Sequence, residues 1–200
     1  MNDDMAWVIQ AQNGNDEAFT HLVETYQKPV YNLCYRMLGD PGDAEDAAQE
    51  SFLRAYQNLA RYDRNRSFAT WLLSIAAHYC IDRLRRRKFV AFSMDQTDDE
   101  DDAPIELPDT GALDPESEAE RREEQRQMHG LLKSIDATDR AALIMRYWHD
   151  CSEVEIAQAL NLTVSAVKSR LHRARKELGK QWLAAEPKHK ERMAYESPAF

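Results

Sequence analysis

The sequence predicts an all-α fold: two small helical domains joined by an acidic, flexible linker. Apolar residues on both flanks recur with the helical spacing of three and four, and little of the chain alternates as a strand would. Only 6 glycines and 7 prolines occur in 200 residues, which excludes collagen-like and wholly disordered chains. Pro104, Pro108 and Pro115 fall between Phe89 and Glu120, with the acidic run Asp98 to Asp102. Repelling carboxylates, and prolines that deny a helix its donors, make this stretch a linker. It separates an N-terminal domain, 1–88, from a C-terminal domain, 121–183, and a polar tail covers 184–200.

The helices of the first domain follow from capping and periodicity. Asn15 is a good N-cap for a helix carrying Phe19, Leu22, Val23 and Tyr26 on one face. Pro29 is expected to open a second helix, which Gly39 ends. From Asp43 to Leu59, a stripe of Ala44, Ala48, Phe52, Ala55 and Leu59 predicts the next. Asp43, Asp46, Glu50, Leu53 and Gln57 lie away from that stripe, and an exposed Leu among carboxylates suits a protein contact. Ser67 caps a helix with Phe68, Trp71, Leu72, Ile75 and Tyr79 on one side and Leu73, Ala77, Cys80 and Leu84 on the other. A helix apolar on both sides is buried between neighbours. It ends in Arg83, Arg85, Arg86, Arg87 and Lys88, cations that suit a helix C-terminus electrostatically.

In the second domain, Ser152 and Glu155 form a capping box before Ile156, Ala157 and Leu160. Asn161-Leu162-Thr163 makes a tight turn, with Thr163 the next N-cap. Val167, Leu171, Ala174 and Leu178 then face inward, while Ser165, Ser169, His172, Arg173 and Lys176 face outward and Lys168 flanks them. A short helix, a turn and a basic-faced helix make a helix-turn-helix, which puts its outer side chains into a DNA major groove.

Charge agrees with a nucleic-acid partner. The net charge is −9, yet residues 61–88 carry +6, 89–120 carry −12 and 151–192 carry +4. Two basic zones flank an acidic spacer, and outside the spacer the chain sums to +3. No apolar run reaches the roughly 18 residues of a membrane span, and the acidic N-terminus lacks the apolar core of a secretory leader, so a cytoplasmic setting is expected. Cys34, Cys80 and Cys151 form no CxxC pair, which predicts neither a disulfide framework nor a zinc site. No phosphate loop, metal-ligand cluster or nucleophile elbow occurs, so no catalytic residue, metal or cofactor is expected.

The stretches DEAFTHLVETYQKPVYNLCYRMLGDPGDAEDAAQESFLRAY and SFATWLLSIAAHYCIDRLRRRK, followed by the helix-turn-helix, resemble a bacterial RNA polymerase sigma factor of the extracytoplasmic-function (ECF) group, in the sigma-70 family. The match covers about 15–88 and 122–180. The resemblance implies a subunit without catalysis of its own that guides core RNA polymerase to promoters and opens DNA. It implies a first domain bound to the −10 element and a second bound to the −35 element. It assigns docking on the β′ clamp helices to Asp46, Gln49, Glu50 and Leu53. It assigns the −10 strand and a flipped base to Arg64, Asn65, Phe68, Trp71, His78, Arg85 and Arg86. It assigns −35 contacts to Ser165, Lys168, Ser169, His172, Arg173 and Lys176. The β flap and an anti-sigma factor are further implied partners. The family usually carries Asn where this chain has His78. A stand-alone helix-turn-helix regulator would need neither the acidic docking face nor the Trp71 and Arg-rich segment.

Overall fold

The computed structural model describes residues 4–94 and 126–195. Every regular element among them is helical: α1 (Asp4–Gln12), α2 (Asp16–Leu38), α3 (Pro41–Asn58), a 3-10 turn (Leu59–Arg61), α4 (Phe68–Met94), α5 (126–133), α6 (Ala137–Trp148), α7 (Glu153–Ala159) and α8 (Val164–Tyr195). Among the described residues no helix is long and apolar enough to cross a membrane. The three cysteines are buried free thiols.

Helix α2 corrects the expectation at Pro29, which lies inside one continuous helix. Proline removes a single N–H, and burial outweighs that loss. Leu22 before it and Val30, Leu33 and Met37 after it are almost wholly buried, each contributing about 1.5–3 kcal/mol. Asn15 caps the start, its side chain accepting from Ala18 N at 3.1 Å. Gly39 ends the helix with φ 85°, where L side chains are strained. A Cβ there would also meet the Lys133 side chain at 3.0 Å.

Asp40 caps α3, with Pro41 in its first turn. Its buried Ala44, Ala47, Ala48 and Ala55 let α2 and α4 approach closely. Of the residues on its two predicted apolar sides, α4 buries Phe68, Leu72, Leu73, Ala77 and Cys80, joined by Ala76 and Ile81, and leaves Trp71, Ile75, Tyr79 and Leu84 half-buried. It runs on to Met94, past the expected boundary at 88. The rest of the expected linker, with its acidic run and prolines, lies outside the described residues, as does the tail beyond Tyr195.

The two halves share one continuous core. Helix α6 touches α2 and α4, and α7 touches α4. Arg140, only 6% exposed, donates from Nη1 to Met37 O at 2.5 Å and from Nη2 to Lys133 O at 2.9 Å. The Arg36 guanidinium lies 5.1 Å over the Trp148 ring, and Tyr35 meets His129 edge-on at 4.4 Å. Thr70 Oγ1 donates to Glu155 Oε1 at 3.1 Å.

Candidate nucleic-acid interface

The helix-turn-helix is built by its caps. Ser152 Oγ accepts from Glu155 N at 3.2 Å, and Glu155 Oε2 accepts from Ser152 N at 2.8 Å. Those bonds to Ser152 hold the Glu155 carboxyl below its usual pKa. Asn161 takes the left-handed conformation, φ 54°, that closes the turn. Thr163 Oγ1 then accepts from Ala166 N at 3.1 Å and starts α8. Ile156 on α7, Leu160 at its C-cap, and Val167, Leu171 and Ala174 on α8 are buried. This fixes the roll of α8, so Ser165, Lys168, Ser169, His172, Arg173 and Lys176 are all exposed on its outer side.

Not all of that charge is free. Lys168 Nζ lies 3.6 Å from Glu153 Oε2. Asp139 on α6 bonds Arg170 and holds Arg173 Nη2 at 3.7 Å. Among the described residues, His172 and Lys176 have no ion pair.

In the first half, a groove of about 390 Å³ opens between the end of α3 and the outer side of α4. Trp71, Ser74, Ile75 and His78 line it from α4, and Arg54, Asn58 and Arg61 from α3 and the 3-10 turn. Trp71 is half-buried and backed by Tyr62 at 4.9 Å and Phe68 at 5.6 Å. Phe68 corrects its expected role. At 5% exposure, packed on Tyr26, Tyr62 and Trp71, it supports the aromatic wall and offers no face to a base.

The loop before α4 is held from inside. The buried Tyr62 donates its hydroxyl to Arg66 O, and Asp63 Oδ1 accepts from Asn65 N at 3.0 Å and Nδ2 at 2.9 Å. Arg64 is exposed, and its Nε donates to Gln12 Oε1 at 2.6 Å. Gln12 Nε2 in turn donates to Leu59 O at 2.8 Å and Tyr62 O at 3.1 Å. Gln12, on a helix that sequence periodicity does not reveal, thus ties the loop down. No local pattern marks it.

The basic end of α4 divides. Arg83 and Arg87 both bond Asp43, whose side chain is 14% exposed. Helical spacing alone places Asp43 on the outward face of α3; it turns to α4 because two guanidiniums meet it there. Arg85 and Arg86 are exposed and make no ion pair among the described residues. On α3, Asp46 and Gln49 are exposed, and Glu50 is half-buried and bonds Arg54 Nε at 2.7 Å. Leu53 is 51% exposed. Tyr56, one turn on and 48% exposed, extends that apolar surface and donates to Asp16 Oδ1 at 2.8 Å. Its spacing of three from Leu53 was the signal for it.

The chain matches Sigma-70 region 2 over residues 22–90 and Sigma-70 region 4 over 125–178. It is 35% identical over 176 residues to the ECF RNA polymerase sigma factor SigW of Bacillus subtilis, covering 87% of this chain and 94% of that one. It is 31% identical to SigX of the same organism, covering 82% of this chain and 84% of that one. In three dimensions it resembles CnrH, solved with the cytosolic domain of CnrY, at TM-score 0.67 and 24% identity, covering 92% of this chain and 99% of that one. It also resembles RpoE of Bartonella quintana, solved with the anti-sigma factor NepR, at TM-score 0.63 and 20% identity, over 81% of this chain and 94% of that one. Those likenesses establish the fold, and the sequence relatives establish the family. The chain belongs to the ECF group of sigma-70 factors, the RNA polymerase subunits that direct core enzyme to promoters.

Proposed function

We propose that α8 reads the −35 element through Ser165, Lys168, Ser169, His172, Arg173 and Lys176, and that the groove on α4 holds the separated −10 strand. The observation that carries this reading is the contrast within α8: Val167, Leu171 and Ala174 are buried while all six outward residues are exposed. Arg173 is the leading candidate for a guanine, because its planar fork can bond two acceptors at once. At the −10 element, Trp71 supplies a stacking face, His78 the base edge, and Arg64, Asn65, Arg85 and Arg86 the backbone contacts. Phe68 acts behind Trp71.

Asp46, Gln49, Glu50 and Leu53 form the docking face for the β′ clamp helices, with the β flap engaged by the C-terminal half. The factor works in the cytoplasm with core polymerase, requires no metal or cofactor, and is held in check by an anti-sigma factor. RpoE, the solved neighbour that carries an anti-sigma factor, supports the last point. Mixing the protein with core polymerase and genomic fragments, then sequencing transcript starts, tests the reading. Start sites sharing −35 and −10 elements are expected. Nanomolar binding of duplex by the chain alone at physiological salt would overturn it.

A further inference from the structure

The α4 groove has a hydrogen-bonding polarity that selects among bases. His78 Nδ1 lies 2.8 Å from Ser74 O. A carbonyl only accepts, so Nδ1 carries the proton, and Nε2 of the neutral ring is left as an acceptor. Ser74 Oγ donates to Trp71 O at 2.6 Å, which also leaves it only lone pairs to offer. These two half-buried groups sit beside the Trp71 ring in the same groove. Asn58 is exposed and spends one amide N–H on Arg54 O at 2.8 Å, keeping Oδ1 and its second N–H. The remaining strong donors are the guanidiniums of Arg54 and Arg61. Arg54 spends Nε on Glu50 and lies 4.8 Å over the Tyr79 ring, so its Nη groups remain as donors on the α3 wall, apart from the α4 wall of Trp71, Ser74 and His78. Arg61 is exposed, where a phosphate is the natural partner.

The inner wall of the groove is therefore an aromatic face edged by two acceptors. We propose that it captures an unpaired base bearing an exocyclic amino group and rejects thymine, the one DNA base without such a group. This rests on the reading that the groove holds a base of the separated −10 strand. An amino group gives Nε2 of His78 or Oγ of Ser74 a donor. Thymine has a single ring N–H between two carbonyls, so pairing that donor with one acceptor turns a carbonyl toward the other. At a half-buried site, a donor–acceptor match against an acceptor–acceptor clash amounts to roughly a 3- to 10-fold preference. An amide at position 78 would behave differently, since it presents both a donor and an acceptor to the groove.

The test uses polymerase assembled with the full-length factor at pH 8. The templates are premelted promoters in which each non-template −10 position carries each of the four bases, and open-complex formation is read. Wild type is expected to disfavour thymine at one position by roughly 3- to 10-fold, and His78→Asn to relax that bias at the same position. Replacing cytosine there by 2-pyrimidinone, which lacks only the amino group, should reproduce the loss for wild type. If His78→Asn shifts preference at one position where wild type accepts thymine as well as cytosine, the inference is wrong and base capture stands. If neither His78→Asn nor Trp71→Ala alters preference at any position, base capture itself is wrong, and the inference falls with it.

Discussion

The two candidate DNA surfaces differ in how their chemistry is mounted. On α8 all six candidate readers are exposed, none is aromatic in the sense of a stacking platform, and the helix beneath them is fixed by caps and a buried stripe. On α4, Trp71, Ser74 and His78 are half-buried around a groove, with the indole backed by two further rings. The first arrangement suits a duplex groove, where exposed side chains reach base edges that stay stacked. The second suits bases already out of the stack, which need a flat face and a rigid wall. Charge distinguishes neither surface, because both are basic in sequence and both neutralise part of that charge internally through Asp43, Glu153 and Asp139.

The strongest way to sharpen this contrast is to damage one support and leave the other whole. Leu171→Ala should destabilise the C-terminal half by about 2–5 kcal/mol, as a buried aliphatic truncation does. Denaturant unfolding monitored near Trp182 reads that loss. Binding of a single −10 strand by the same variant should change little, and an equal loss there would show that the two surfaces are not separable. Next in size is Arg173→Ala, expected to cost about 1–3 kcal/mol at a matched promoter and far less at one altered at the contacted base. A promoter library transcribed with this variant decides it, and an unchanged −35 preference would remove Arg173 from the readout.

What was legible in the sequence follows the same division. Spacing along one helix announced the outer face of α8, because a buried stripe forces the opposite side into solvent. The capping residues Asn15, Ser152 and Thr163 were readable for the same local reason. Pro29 misled, since a proline rule is local and the continuity of α2 was decided by neighbours packed along its length. The short α1, with only Val8 and Ala11 buried, carried too little pattern to be seen. The fate of individual cations was invisible. Asp43 and Arg83 stand 40 residues apart, and Arg140 meets Met37 across 103. No periodicity reports such pairings.

Between the two surfaces lies the contact that joins the halves, and it should respond to pH. Burial pushes His129 down to about 4, with Arg36, Lys133 and Arg140 adding repulsion. Burial beside Arg36 also brings His149 down to about 4, against the opposing pull of Asp150, and its Nε2 is buried with no partner among the described residues. Depressed histidine values mean that the closed arrangement binds fewer protons than an opened one, where an ordinary value near 6.5 applies. Closure is therefore fully supported above about pH 6.5 and weakens as pH falls toward 4. At pH 6 each histidine should favour opening by up to about 4-fold. Fluorescence transfer between dyes on the two halves should report this, and His129→Gln with His149→Gln should flatten the response. A pH profile unchanged in the double variant would place the sensitivity elsewhere.

The smallest expected effect concerns which cations on α4 are available to DNA. Arg86 and Arg87 are adjacent and both exposed, and composition treats them alike. Arg87 bonds Asp43, whereas among the described residues Arg86 reaches only the carbonyl of Asp82, from Nε at 3.3 Å. If Arg86 touches a phosphate, Arg86→Ala should lower the log–log salt slope of strand binding by roughly 0.7, the value for one phosphate of a single strand, with little change in stability. Arg87→Ala should leave that slope nearly intact and cost only about 1 kcal/mol or less of stability, because Arg83 still neutralises Asp43. Measuring −10 strand affinity by the polymerase complex across several salt concentrations separates the two. Equal slopes for both variants would mean that the Asp43 pairing does not withdraw Arg87 from DNA, and the distinction between mounted and available charge would fail at this end of the molecule.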